Sequence, residues 1–218
     1  MNWHYVNWLY IAAVLWGVGY GVSLRNWPQS HARAIAKTVP VALLSATAFA
    51  AGMPPLLVLA LALSALGDFF LTYEGERNFL AGLVSFLLAH VSYIVLFFGE
   101  QDPVWSGTLP FFAGTLLIFV FSMSVFRRLR PHLGGMRLPV ALYTGILSAM
   151  AVAALARGPD PVLIAGVVLL VASDAVLAFE RFMFEPQSAH RRWSGAFVWF
   201  TYLLGQALVT AAFIFAVA

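Results

Sequence analysis

Apolar runs of about twenty residues, separated by short breaks rich in Pro, Gly and charge, recur along the whole chain. A helix needs about 20 apolar residues to cross the roughly 30 Å hydrocarbon core of a bilayer. Because 62% of the 218 residues are hydrophobic and only 10% are charged, the chain has more apolar surface than one soluble core can bury. The pattern therefore predicts an all-α fold, a polytopic membrane helical bundle.

The breaks between the runs delimit eight transmembrane helices. The first run has neither a preceding positive region nor a small-residue cleavage site, so we expect it to be retained as a helix. A single transmembrane domain over residues 1–218 is expected. The predicted spans are 5–24, 38–51, 56–72, 78–98, 109–126, 139–156, 162–179 and 195–216.

Basic residues in the loops predict the orientation of the chain. Of the twelve Lys and Arg residues, all except Arg157 lie in odd-numbered loops, and such residues concentrate in cytoplasmic loops. We therefore expect both termini to be non-cytoplasmic. The many Ala and Arg residues are typical of a high-GC bacterial genome, so we expect the membrane to be a bacterial inner membrane. The net charge of +3 reports topology and contact with anionic lipid rather than nucleic acid. Since the chain has no cysteine, disulfides and thiolate chemistry are excluded.

Two aspartates interrupt the apolar runs. Asp68 lies in LALSALGDFFLTYE, in the third span, and Asp174 lies in LLVASDAVLAFE, in the seventh. A charge at the centre of a bilayer costs roughly 2.5 to 3.5 kcal/mol on insertion scales, so such residues usually have a partner or a function. In the predicted topology both lie near the cytoplasmic end, and we expect them to face each other. The two aspartates are separated by about half the length of the chain. This spacing suggests two copies of a four-helix repeat, residues 1–107 and 108–218, that cross the membrane in the same direction.

The protonation of this pair follows from its surroundings. No Lys or Arg lies within the predicted spans opposite Asp68 or Asp174, so the sequence offers neither of them a buried counter-charge. Burial and a like charge both disfavour an ionised carboxylate, and one of the two is therefore expected to hold a proton and serve as a general acid. The alternative is a structural polar pair that fastens two helices.

Other polar residues at membrane depth either line a cavity or bond helices together, and spacing leaves both open. A Ser64–His90–Asp68 triad lacks a nucleophile elbow. A catalytic zinc site needs about three protein ligands, and His90 is the only histidine at this depth, so no metal is expected, although His90 with both aspartates leaves the question open. Lys37, at the mouth of the second span, either extends to the interface or binds substrate. The candidate binding or orienting residues are Lys37, Ser64, Asn78, His90, Tyr93, Tyr143, Ser173, Tyr202 and Gln206.

The chain resembles the lysoplasmalogenase family of eight-span membrane proteins, also called YhhN-like, in the order and spacing of its polar and glycine motifs. The family pattern has Lys-Pro at the start of the second helix, whereas here Thr38 follows Lys37 and the proline is Pro40. The matching elements are Ser64-x-x-Gly67-Asp68, Phe79-x-x-Gly82 with Phe86, His90 and Tyr93, Ser173-Asp174 with Phe182, and Tyr202 with Gln206.

The resemblance implies hydrolysis of the vinyl ether bond of lysoplasmalogens, without a cofactor, to a fatty aldehyde and glycerophosphocholine or glycerophosphoethanolamine. For this reaction we expect one of Asp68 and Asp174 to be the acid and the other the base or cation stabiliser, and we expect Lys37 to attract the phosphate at the interface. The expected partners are a lysophospholipid substrate and membrane lipid, and no protein partner is inferred. Two alternatives stay open at this point, a lipid or small-solute transporter with proton-binding aspartates and a metal-dependent ceramidase-like hydrolase.

Overall fold

The structure is a computed structural model that describes residues 3–99, 105–185 and 187–215. Over these ranges the chain forms eight α-helices and no strand. Seven helical segments are long and apolar enough to cross a membrane, and α3, with 16 residues, is shorter. The all-α membrane fold is thus confirmed, while the predicted end of the last span at residue 216 lies outside the described residues. The helices are α1 Trp3–Gly19, α2 His31–Ala50, α3 Pro55–Phe70, α4 Glu76–Gly99, α5 Leu109–Leu129, α6 Arg137–Ala156, α7 Pro161–Phe182 and α8 Ala189–Ile214.

The chain divides into two compact units. One contains the residues up to Leu96 together with those from Gln206 onward, and within it α2 packs against both α1 and α3. The other extends from Phe97 to Gly205, and within it α6 packs against both α5 and α7. The predicted repeat halves, 1–107 and 108–218, stay a prediction.

The second helix begins seven residues earlier than the sequence indicated, at His31 rather than residue 38. Ser30 caps it, since its side chain accepts a hydrogen bond of 3.2 Å from the backbone N–H of Arg33. Hydropathy misses this start because the first two turns carry polar and basic residues. As a result Lys37, predicted to precede the helix, lies inside it.

Pro40 lies in the interior of α2, whereas the predicted start of this span at residue 38 would have placed it in the first turn. Proline has no N–H, and the carbonyl of Ala36 therefore lacks its usual partner four residues ahead. The indole Nε1 of Trp16, on α1, donates a 3.0 Å hydrogen bond to that carbonyl. The bond that the proline removes from α2 is thus replaced from α1, and it fastens the two helices.

Trp16→Phe is expected to lower the free energy of unfolding by about 1–3 kcal/mol, because it leaves the Ala36 carbonyl without a donor. In a Pro40→Ala background the restored N–H of residue 40 bonds this carbonyl, and the same substitution is expected to cost less. A double-mutant cycle on detergent-solubilised protein measures the difference. Equal costs in both backgrounds would show that the indole bond does not compensate for the proline.

Two glycines allow α3 and α4 to approach closely. A Cβ atom on Gly67 would lie 2.6 Å from the ring of Phe86, and one on Gly82 would lie 2.7 Å from the side chain of Leu71. Small residues permit such contact between membrane helices. Ser85 adds a 2.7 Å hydrogen bond from its hydroxyl to the carbonyl of Leu63. These contacts hold the end of α3, and with it the neighbouring Asp68, in a defined position.

Candidate active site

Asp68 lies in the last turns of α3 and is only 2% exposed. The ammonium Nζ of Lys37, on α2, lies 3.5 Å from its Oδ1. The prediction that no basic residue opposes this aspartate is therefore wrong. Its physical cause is the early start of α2, which brings Lys37 onto the helix face that packs against α3. The candidate site thus contains a buried ion pair where the sequence indicated an acid without a counter-charge.

A signal for this pairing exists in the sequence. Lys37 shares its helix face with Val41, Leu44 and Ala48, which follow at spacings of four, three and four residues, and all three are buried. A lysine that extends this periodicity is directed toward the protein interior rather than toward the interface. Extending the apolar pattern of α2 backward by one turn would have located it.

A second set of polar residues joins three helices of the same unit. The hydroxyl of Tyr93, on α4, donates to Oε1 of Gln206, on α8, at 2.7 Å. Nε2 of Gln206 in turn donates to the hydroxyl of Ser64, on α3, at 3.1 Å. All three side chains are buried. The interhelical bonds that the sequence left open are thus made, and Ser64 is held one turn before Asp68.

Asp174 lies on α7 and is half-buried. The hydroxyl of Tyr143, on α6, donates a 2.6 Å hydrogen bond to its Oδ2. Bonds of this length from a hydroxyl to a carboxylate are among the strong ones in proteins. The phenol of Tyr143 therefore orients the carboxyl group of the second aspartate.

Ser173 and Tyr202, two other candidate residues, have structural contacts. The hydroxyl of Ser173 donates to the backbone carbonyl of Val198 at 3.0 Å, which fastens α7 to α8. The ring of Tyr202 lies beside that of Trp199, with centroids 6.1 Å apart. Ser173, which the resemblance marked, therefore helps to position α7, the helix that carries Asp174.

Two other candidates lie on α4. His90 is buried within this helix, at 3% exposure. Asn78 lies near the helix start, where its Nδ2 donates a 2.9 Å bond to the carbonyl of Glu74, so it stabilises the turn before its own helix. Within the described ranges, no group of three or more His, Asp or Glu side chains could hold a metal ion.

The structure therefore assembles three polar groups from the candidates. Lys37 contacts Asp68, Ser64 contacts Gln206 and through it Tyr93, and Tyr143 contacts Asp174. The pairing of the two aspartates stays a prediction from the sequence. Each carboxylate has a specific polar partner in an apolar environment, which is the arrangement needed to hold an acid or a base in a fixed orientation.

Comparison with known proteins gives one family. A family model described as the YhhN family matches residues 32–213, from the first turn of α2 to the end of α8, and this range contains all the candidate residues. No curated protein and no solved structure matches the chain significantly.

Proposed function

This chain belongs to the YhhN family, the family of lysoplasmalogenases, and from this premise we propose that it hydrolyses the vinyl ether bond of lysoplasmalogens. The products are a fatty aldehyde and a glycerophospho-alcohol such as glycerophosphocholine or glycerophosphoethanolamine. The observation that carries the proposal is that, within the range matched by the family, two carboxylates in apolar helices each have a specific polar partner. Intramembrane carboxylates of this kind are usually functional.

The proposed reaction needs only acid–base chemistry. A proton is delivered to the alkene carbon that is not bonded to oxygen, and the other alkene carbon becomes an oxocarbenium ion. Water attacks this ion and loses a proton, and the resulting hemiacetal breaks down to the aldehyde and the free alcohol. One carboxylic acid supplies the first proton, and one carboxylate stabilises the cation or activates the water, as in glycoside hydrolysis.

We assign the base to Asp68 and the acid to Asp174. A cation 3.5 Å away stabilises the ionised form of a carboxylate, and Lys37 supplies one at Asp68. The group that donates to Oδ2 of Asp174 is the phenol of Tyr143, which is uncharged and therefore opposes protonation of this carboxyl group less than a cation would. The assignment rests on the sequence-based expectation that both aspartates act on the same substrate.

Ser64 is proposed to contact the substrate. Its hydroxyl accepts from Gln206, and among the described residues no acceptor receives its own hydrogen. That hydrogen is therefore available to donate to an oxygen of the glycerol group. In the predicted topology the reaction takes place near the cytoplasmic face of a bacterial inner membrane, where the head group remains close to water.

Purified protein in lipid nanodiscs tests the proposal. Given an alkenyl lysophospholipid in deuterated water, it is expected to release an aldehyde with one deuterium on the carbon next to the carbonyl, because the proton added to the alkene comes from solvent. The matched control is a lysophospholipid with a saturated alkyl ether, which cannot be protonated at carbon and is expected to remain intact. Mass spectrometry of the products measures both.

Three outcomes would contradict the proposal. Cleavage of the saturated ether at a similar rate would exclude alkene protonation. Loss of activity with a chelator would favour a metal-dependent hydrolase. Uptake of lysophospholipid into proteoliposomes without any aldehyde would favour a transporter in which the aspartates carry protons.

A further inference from the structure

An apolar groove with a cavity volume of about 370 Å³ lies between α5, α6 and α7, all within one unit. Its lining consists only of glycine and hydrocarbon side chains, among them Gly114, Leu117, Phe121, Ala151, Val167 and Val171. Ligand sites commonly have volumes of roughly 300 to 1,000 Å³. The groove therefore has room for a ligand but offers it no hydrogen bond.

One end of the groove approaches Asp174 along α7. On α7 the lining ends at Val171 and Ala172, and Asp174 lies one turn or less beyond them. Because Val167, Val171 and Asp174 follow at spacings of four and three residues, they share one face of the helix. A molecule lying along the groove would thus place its end against the Tyr143–Asp174 hydrogen bond.

We propose that this groove binds the single hydrocarbon chain of the lysolipid substrate, with the vinyl ether end at Asp174 and the methyl end near Gly114. The proposal rests on the proposed function. A lysoplasmalogen has a single hydrocarbon chain with the reactive bond at its polar end, so its shape matches a groove that ends close to Asp174. From Ile164, at the far end, to Asp174 the helix rises about 15 Å at roughly 1.5 Å per residue. This is half of the roughly 30 Å hydrocarbon thickness, the depth occupied by lipid chains of one leaflet.

The residues on α5 favour a lipid chain over a second copy of this protein. Membrane helices associate through faces of small residues, whereas α5 exposes large ones such as Leu116, Leu117 and Phe119. Gly114 is already used inside the unit, since a Cβ there would lie 2.8 Å from the side chain of Leu155. The groove and its rim are therefore suited to flexible hydrocarbon.

A matched pair of substitutions tests this site. Val168 lines the groove and is 59% exposed, whereas Val120, on α5, does not line it and is 53% exposed. Val168→Trp fills the groove and is expected to lower the ratio of kcat/KM for a long-chain to a short-chain alkenyl lysophospholipid by about tenfold. The reason is that each methylene group that the groove no longer buries costs about fourfold in binding. Val120→Trp adds the same volume to the lipid-facing surface and is expected to leave this ratio unchanged. Equal effects of the two substitutions would overturn the proposal.

A second readout does not depend on catalysis. A lysophospholipid with a photoreactive diazirine at the end of its chain is expected to label the α5 segment around Gly114 in the wild-type protein, and the label is expected to fall in Val168→Trp but not in Val120→Trp. Labelling confined to other helices would overturn the proposal that the groove binds the hydrocarbon chain, even if hydrolysis is confirmed. Conversely, labelling at Gly114 without any aldehyde formation would refute the proposed function and leave the chain site standing. An intermolecular disulfide in a Val168→Cys variant, in this otherwise cysteine-free chain, would show that a second copy occupies the groove.

Discussion

Asp174→Asn and Asp68→Asn are each expected to lower kcat for vinyl ether hydrolysis by about 10²- to 10⁴-fold, the usual contribution of a positioned general acid or base. An amide cannot deliver the proton that Asp174 is proposed to supply, and it cannot stabilise a cation as the carboxylate of Asp68 is proposed to do. Initial rates of aldehyde release from an alkenyl lysophospholipid in nanodiscs measure the effect.

The combination of the two substitutions is the sharper test. If both groups act in one reaction, the double variant is expected to be about as slow as the slower single variant, because residues that act as a unit are strongly non-additive. Glu74→Gln, an exposed carboxylate in the turn before α4, is the control and is expected to retain full activity. Either aspartate variant with unchanged kcat, in folded protein, would remove that residue from the mechanism.

Lys37→Met is expected to lower the free energy of unfolding by about 3–5 kcal/mol, because it leaves the carboxylate of Asp68 buried without its cation. The side chain of Asp68 is 3% exposed and that of Lys37 is 18% exposed, so water compensates the loss only weakly. The double variant Lys37→Met, Asp68→Asn is expected to regain most of this loss, since replacing both members of a buried pair is often close to neutral.

Chemical denaturation in a defined detergent measures all three variants. A single substitution Asp68→Asn leaves a buried ammonium and is also expected to be destabilising, so the double-mutant cycle should show a large favourable coupling. If Lys37→Met costs less than about 1 kcal/mol, the ion pair contributes no more than an exposed one, and Lys37 would then be free to bind the substrate phosphate.

The fold could largely be predicted from the sequence. The observed helices α4 to α7 begin and end within a few residues of the predicted spans, because apolar length and the Pro–Gly breaks report directly on each segment. The start of α2 could not be predicted in this way. Its first turns carry His31, Arg33 and Lys37, which lower the local hydropathy, whereas the Ser30 cap and tertiary contacts such as the Lys37–Asp68 ion pair stabilise the helix there.

The candidate site could be predicted by residue type but not by contact. The sequence singled out both aspartates and most of the polar residues that bond them or their helices. It left Tyr143 undecided, and it left Lys37 open between extending to the interface and binding substrate. The structure places Tyr143 at 2.6 Å from Asp174 and Lys37 at 3.5 Å from Asp68. It also contained no indication of the groove between α5, α6 and α7, because a groove arises from the gap between helices rather than from any one of them.

Sequence alone therefore determined the class of fold, the number of helices and the two acids within them. These properties depend on hydrocarbon thickness and on backbone hydrogen bonding within each segment, and both act on one helix at a time. Only the tertiary structure decided which partner each acid has. Each residue turns an α-helix by about 100°, so the contact between Lys37 and Asp68 depends on the rotation of α2 against α3, which is set by packing between helices.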